Sequence, residues 1–156
     1  MTATSRAALA ASAHRCAMAG FVVAFGLAPI AADAQAPFTG DAIAQPLTAV
    51  PGDAARGKAV LVQREKGHCI LCHALPERDV RFAGNIGPPL AGVGTRLTPA
   101  QIRGQIADPT RHDPDTVMPA YYRTHDLRRV AAPYRERTVL SAQDVEDAVA
   151  YLSTLR

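Results

Sequence analysis

The chain has 156 residues, a length that favours one domain, and its 17 Lys and Arg against 14 Asp and Glu give a formal net charge of +3. This mild charge, with no basic run of the kind that follows a phosphate backbone, argues against nucleic-acid binding. Aromatic residues make up only 5% of the chain and tryptophan is absent, so a buried prosthetic group would help to fill a small core.

The first 34 residues are predicted to be a signal peptide and not part of the fold. Arg6 and Arg15 give a basic start, and an apolar run of 16 residues follows at positions 17–32. A membrane-spanning helix needs about 20 apolar residues, so this run is too short to be one. An A-x-A pattern places the predicted cleavage after Ala34, with cleavage after Ala36 as an alternative. We expect an exported chain with no membrane anchor after cleavage, the alternative being an uncleaved anchor.

Residues 35–52 are predicted to form an extended N-terminal segment outside the core. They are rich in Ala, Pro, Gly and Thr and hold few large apolar side chains. The folded domain is then predicted to span residues 53–156. Its first helix covers residues 53–63, where Asp53 is the N-cap and Gly67 ends the helical stretch.

Cys69, Cys72 and His73 form a C-x-x-C-H motif, which is the attachment motif of c-type haem. Two cysteines at this spacing can reach the two vinyl groups of one macrocycle and form thioethers. The adjacent imidazole then faces the iron from the same side. Because the predicted cleavage removes Cys16, haem attachment would consume both cysteines of the mature chain. We therefore predict one covalent haem c, with His73 as an iron ligand.

Two other interpretations of the cysteine pair fit the sequence less well. A redox-active C-x-x-C pair is typical of a thioredoxin-like βαβ pattern, which this sequence lacks. A zinc site needs about four ligands, usually with a second closely spaced pair. His112 and His125 are 13 residues apart and do not form such a pair.

Residues 74–96 are predicted to be a loop around the haem, because three Pro and four Gly interrupt any helical period. A ligating imidazole usually donates its free N–H to a backbone carbonyl. Pro88 offers a carbonyl and has no N–H, so we expect it to accept a hydrogen bond from His73. Arg96, with Tyr121 or Tyr122, is a candidate partner of the haem propionates, the alternative being an ordinary surface role.

Thr98 begins the next predicted helix as its N-cap, with Pro99 at the first helical position and Gln101 at the capping-box position. This helix is predicted to end near Ala107, because Pro109 restricts the residue before it.

Residues 108–137 form a second loop, too long for a compact domain unless it lines a cofactor. It contains Met118, the one methionine left after cleavage, 45 residues beyond His73. We predict Met118 as the second axial iron ligand, because it lies in a polar, proline-rich loop with no helical stripe around it, the alternative being a methionine that fills a gap in the core. Ligation by a histidine and a methionine would raise the reduction potential and leave no open position. His112 or His125 in its place would give bis-His ligation, and His68 is expected at the surface.

The last helix has the clearest pattern in the chain. Ser141 is its N-cap and Asp144 stands at the capping-box position. Apolar residues then recur at three- and four-residue spacing on one face: Val145, Ala148, Val149, Leu152 and Leu155. The sequence thus predicts an all-α fold in which helices and long loops surround one covalent haem.

These residues resemble the class I cytochrome c family, which carries a helix before C-x-x-C-H, a G-P-x-L-x-G segment, a methionine loop and a terminal helix. In that family the first and last helices cross at a small residue packed against an aromatic one, which implies Gly57 and Tyr151 here. A closer resemblance, to the SoxX family, rests on six segments: 84–90, 97–103, 108–111, 114–123, 127–130 and 140–152.

The SoxX resemblance implies a function and partners. SoxX is the monohaem subunit of SoxAX, a periplasmic L-cysteine S-thiosulfotransferase that couples thiosulfate oxidatively to the SoxYZ carrier. This chain would form a heterodimer with a SoxA-like cytochrome subunit and relay electrons to a downstream cytochrome. The catalytic haem belongs to SoxA, so no activity is expected from this chain alone.

Two further hypotheses remain at the level of sequence. A free-standing class I cytochrome c would shuttle electrons without a fixed partner. An enzyme or gas sensor would need an open iron position, against which Met118 argues. Outside the haem motif, no residue forms a convincing nucleophile or acid/base pair.

Overall fold

The computed structural model describes residues 37–156, so the predicted signal peptide lies outside the described residues. This part of the chain is helical and contains no strand, only an isolated bridge between Thr39 and Ala42, which confirms the all-α prediction. None of its helices is long and apolar enough to cross a membrane. The α-helices are α1 (Ala54–Val62), α2 (Val93–Arg96), α3 (Pro99–Ala107) and α4 (Ala142–Thr154), and short 3-10 turns cover Cys69–Leu71, Pro109–Arg111 and Ala132–Tyr134.

The predicted helix starts are confirmed by their caps. The Asp53 side chain accepts a hydrogen bond from the backbone of α1. Thr98 and Gln101 form a complete capping box at α3, and Ser141 and Asp144 form one at α4. Each box satisfies backbone donors that the first turn of a helix leaves free. The short helix α2 was not predicted, because it has only four residues and no apolar period.

Helices α1 and α4 cross at the centre of the domain, and α3 and α2 also contact α4. Gly57 lies buried at the crossing. A Cβ atom on Gly57 would overlap the carbonyl oxygen of Asp147 and stand 2.7 Å from the Cβ of Tyr151, which confirms the small-residue crossing implied by the class I resemblance. The core around it contains Val60, Leu61, Val93, Ile102, Ile106, Leu140, Val145, Ala148, Val149, Leu152 and Leu155.

Gly57→Ala should destabilise the domain, because the new methyl group has no room at the α1–α4 crossing. Overpacking of this kind costs about 1–3 kcal/mol, and more where backbone atoms must move. Urea unfolding of the haem-loaded protein would measure the loss. Ala55→Ser, at an exposed position of the same helix, is the control and should change the free energy of unfolding by less than about 0.5 kcal/mol. Equal stability of the two variants would contradict the crossing.

Residues 35–52 were predicted to lie outside the core, but part of this N-terminal segment belongs to it. Ile43 is fully buried, and its N–H donates to the carbonyl oxygen of Ala100 over 3.0 Å. Arg103 Nη1 donates to the carbonyl oxygen of Ile43 over 2.7 Å. The Leu47 N–H donates to Glu146 Oε1 over 2.9 Å. Residues 43–47 are therefore fastened to α3 and α4, a role that their composition did not reveal.

A carboxylate on α4 fastens the start of α1. Asp147 has a side chain that is only 4% exposed, and it binds the Arg56 guanidinium through Nε at 2.7 Å and Nη2 at 2.8 Å. It also accepts from the Asp53 N–H and from Gln143. The hydrogen bonds from Arg56 are the main reason why the pKa of Asp147 falls to about 2. The charged form is thus stabilised in the folded state.

This pKa predicts a specific loss of stability in acid. A carboxyl group with a lowered folded-state pKa contributes stability that is present above its ordinary pKa of 3.8 and is lost as the pH falls towards about 2. Asp147→Asn should therefore cost about 2 kcal/mol at pH 7, and its stability should vary less between pH 4 and pH 2 than that of the parent. Asp113→Asn, at an exposed loop position, is the control. Parallel pH profiles for Asp147→Asn and the parent would refute the assignment.

Candidate haem site

The C-x-x-C-H motif folds as one tight turn. Cys69 begins a 3-10 turn, and its carbonyl oxygen accepts from the N–H groups of Cys72 at 3.1 Å and His73 at 2.9 Å. Both cysteines are half-buried and neither is in a disulfide. Without haem, burial raises the pKa of the Cys69 thiol to about 11. The turn presents two thiols and one imidazole from adjacent positions.

The imidazole of His73 is held by the loop that follows. Its Nδ1 lies 2.7 Å from the carbonyl oxygen of Pro88. With the proton on Nδ1, that nitrogen donates to Pro88 and Nε2 keeps its lone pair for a metal ion. Gly87 makes the close approach possible, because a Cβ there would stand 2.6 Å from His73 Nδ1. The structure thus brings together the cysteines, His73 and Pro88.

Met118 lies on the separate loop after α3. It is half-buried, and its N–H donates to Thr116 Oγ1 over 3.2 Å. The residues that follow are attached to the end of α3, because Tyr121 N–H donates to Ile106 and Tyr122 N–H donates to Ala107, each over 3.1 Å. The loop is therefore anchored immediately beyond the methionine.

Tyr121 is a half-buried residue between the methionine loop and the segment that leads into α4. Burial raises the pKa of Tyr121 to about 12, and the neighbouring thiols of Cys69 and Cys72 add to the rise. The phenol therefore lies within electrostatic reach of both thiols. Its carbonyl oxygen also accepts from Val139 at 2.9 Å and Leu140 at 3.0 Å, which leads the chain into α4.

The other candidate residues lie at the surface or make different contacts. His112 and His125 are exposed, and His112 Nδ1 is 4.0 Å from a carboxylate oxygen of Asp41. His68 stands before the 3-10 turn with a left-handed φ of 45°. The Arg96 guanidinium donates to the carbonyl oxygens of Ala91 at 2.6 Å and Pro89 at 3.1 Å. Arg96 thus supports the loop that carries Pro88.

One supporting residue was missed by the sequence analysis. Arg123 Nη1 binds both carboxylate oxygens of Asp108, at 2.9 and 3.1 Å, and Thr110 Oγ1 at 2.8 Å. This network joins the two ends of the segment that carries Met118. The sequence signal was an acidic residue before Pro109 and an arginine after the methionine, but their pairing depends on the path of the loop.

A profile of the cytochrome c family matches residues 54–156. The chain belongs to the cytochrome c family. Among solved structures, it is similar to a chain of the crystal structure of SoxXA from P. pantotrophus, with 34% sequence identity and a TM-score of 0.71, over 77% of this chain and 93% of that chain. No curated protein sequence matches. The match confirms the resemblance to a SoxX-type cytochrome and the class I cytochrome c fold.

Membership of this family means that the chain carries covalent haem c, whose chemistry is one-electron transfer. The side chains present fit this group. Two free thiols lie three positions apart, and the Nδ1 of the adjacent imidazole lies against the carbonyl oxygen of Pro88, which leaves Nε2 for a metal ion. The haem c prediction from the C-x-x-C-H motif is confirmed.

Proposed function

We propose that the chain is the electron-transfer subunit of a SoxAX-type L-cysteine S-thiosulfotransferase. The observation that carries the proposal is the 34% identity to the SoxXA chain, 93% of whose length is covered by the match. Electrons released when thiosulfate is coupled to SoxYZ would pass through a SoxA-type subunit to this haem and then to a downstream cytochrome. The proposed compartment is the periplasm, reached with the signal peptide of residues 1–34.

The C-x-x-C-H motif and the hydrogen bond of His73 support the proposed site roles. Cys69 and Cys72 would form the thioether bonds to the haem, and His73 would ligate the iron through Nε2 while its Nδ1–H donates to Pro88. Met118 would be the second ligand of the iron. A histidine and a methionine leave no position for an external ligand, which suits electron transfer and not ligand chemistry.

An arginine-rich loop supports a protein partner. Residues 124–139 follow the methionine segment and return to Tyr121 through the N–H of Val139. Arginine and tyrosine are enriched at protein interfaces. In this part of the described chain, four exposed arginines form no ion pair or side-chain hydrogen bond: Arg128, Arg129, Arg135 and Arg137.

The test is reconstitution of the full system. The haem-loaded chain would be co-expressed with the SoxA-type subunit of its own organism, and thiosulfate-dependent reduction of an added cytochrome c would be followed with SoxYZ present. We expect reduction by the heterodimer and none by this chain alone. Failure to co-purify would favour the free-standing shuttle.

Mass spectrometry of the exported protein should find Gln35 at its N-terminus.

A further inference from the structure

An exposed apolar surface lies beside the C-x-x-C-H turn. Its large side chains are Leu71, 62% exposed, and Ile86, 68% exposed. Backbone hydrogen bonds place them on neighbouring segments, because Gly84 N–H donates to Ile70 over 2.8 Å and Gly87 N–H donates to Cys72 over 2.9 Å.

Phe82 projects from the same loop. Its side chain is 98% exposed, and it stands two residues, or at most about 7 Å of chain, from Gly84. Its backbone has a φ of 61°, in the left-handed region that aromatic residues rarely adopt. Exposure of the ring and the left-handed backbone are both unfavourable in the isolated chain. Strained residues and exposed apolar patches concentrate at binding sites.

The base of this loop is fixed to the helices. Lys58 on α1 binds the carboxylates of Glu77 at 3.0 Å and Asp79 at 3.1 Å. The Tyr151 hydroxyl on α4 donates to Glu77 over 2.8 Å. Phe82 is thus carried by a loop whose start is attached to both central helices. An anchored projection loses less conformational freedom on binding than a free one.

The charges around Phe82 indicate the chemistry of its partner. Arg78 and Arg81 are exposed and form no ion pair or side-chain hydrogen bond within the described residues. The nearby carboxylates of Glu77 and Asp79 are already bound to Lys58. A partner surface that complements the loop therefore offers an apolar pocket with acidic residues at its rim.

We propose that Leu71, Arg78, Arg81, Phe82 and Ile86 form a docking surface, the Phe82 surface, for the SoxA-type subunit, with Phe82 as its anchor. The inference rests on the proposed function, because it names the surface through which that heterodimer forms. Interfaces depend on a few aromatic and arginine residues that fill pockets, with other contacts adding little affinity. Docking here brings the partner against the segment that contains Cys72.

Binding measurements with the co-expressed SoxA-type subunit test the proposal. The dissociation constant of the haem-loaded full chain should rise at least about 30-fold in Phe82→Ala, as for a central anchor. Val50→Ala removes a different exposed apolar side chain and should stay within about twofold. Arg81→Glu should raise the dissociation constant about tenfold at low salt and less at high salt. A Phe82→Ala complex as tight as the parent complex would overturn the proposal.

A second variant separates docking from folding. Phe82→Gly removes the ring and suits the left-handed backbone, so its unfolding midpoint should equal or exceed that of the parent. Its haem spectrum should be unchanged, while binding of the SoxA-type subunit is lost. If the parent chain itself fails to bind the SoxA-type subunit, the proposed function fails and this inference fails with it. If the parent binds and both Phe82 variants bind equally well, only the docking surface is refuted.

Discussion

Met118→Ala is expected to remove the near-infrared charge-transfer band of the oxidised protein while leaving the haem covalently attached. The proposed thioethers come from Cys69 and Cys72, which this change does not touch. Loss of the Met118 sulfur as an iron ligand should also lower the reduction potential by on the order of 100 mV. This is a fraction of the roughly 0.8 V over which axial ligands set haem potentials. Absorption spectra and a redox titration of the exported protein would measure both effects.

The control for this prediction is the neighbouring residue. Val117→Ala truncates a side chain that is 80% exposed on the same loop, so both the band and the potential should be retained. Binding of carbon monoxide to the reduced protein gives a second readout, because only an open iron position accepts it. We expect binding in Met118→Ala and none in the parent. A parent protein without the charge-transfer band would instead indicate bis-His or open iron, and the enzyme or sensor hypothesis would gain weight.

Much of this fold could be predicted because its signals are local. The capping boxes of α3 and α4 involve residues three positions apart, and the apolar face of α4 repeats every three or four residues. The C-x-x-C-H turn is likewise contained in five residues. Each of these signals is a pattern of residues at short, fixed spacing, so a short stretch of sequence is enough to recognise it. The hydrogen bond from His73 to Pro88 spans 15 positions, and its prediction needed the chemistry of a ligating imidazole.

The features that were missed depend on the path of the whole chain. Ile43 lies in a segment of small and polar residues, and only its position against α3 makes it a core residue. Arg103 would be assigned to the surface from sequence, since arginine is almost never fully buried unless it is paired. Its partner, Glu146, is 43 positions away. Asp108 and Arg123 pair in the same way across the methionine loop. No periodicity in the sequence specifies such pairs.

The buried pair of Arg103 and Glu146 is expected to be essential for stability. Each side chain is only 6% exposed, and two hydrogen bonds of 2.7 and 2.9 Å join them. Arg103→Met would leave the Glu146 carboxylate buried without its counter-ion, and loss of one member of a buried pair costs about 3–5 kcal/mol. The free energy of unfolding falls by about 1–3 kcal/mol for each molar increase in urea, so the unfolding midpoint of Arg103→Met should be lower by about 2 M.

A double variant and an exposed pair provide the controls. Arg103→Met with Glu146→Leu removes both charges, and its loss should be smaller than the sum of the two single losses, because a buried ion pair can be replaced by apolar side chains. Recovery should stay incomplete, since the carbonyl oxygen of Ile43 and the N–H of Leu47 lose their partners. Lys66→Ala, which breaks the exposed pair with Asp144, should cost less than about 1 kcal/mol. Strict additivity of the Arg103 and Glu146 variants would show that the two charges do not stabilise one another. With the expected coupling, the same pair that fastens α3 to α4 also holds the N-terminal segment on the domain.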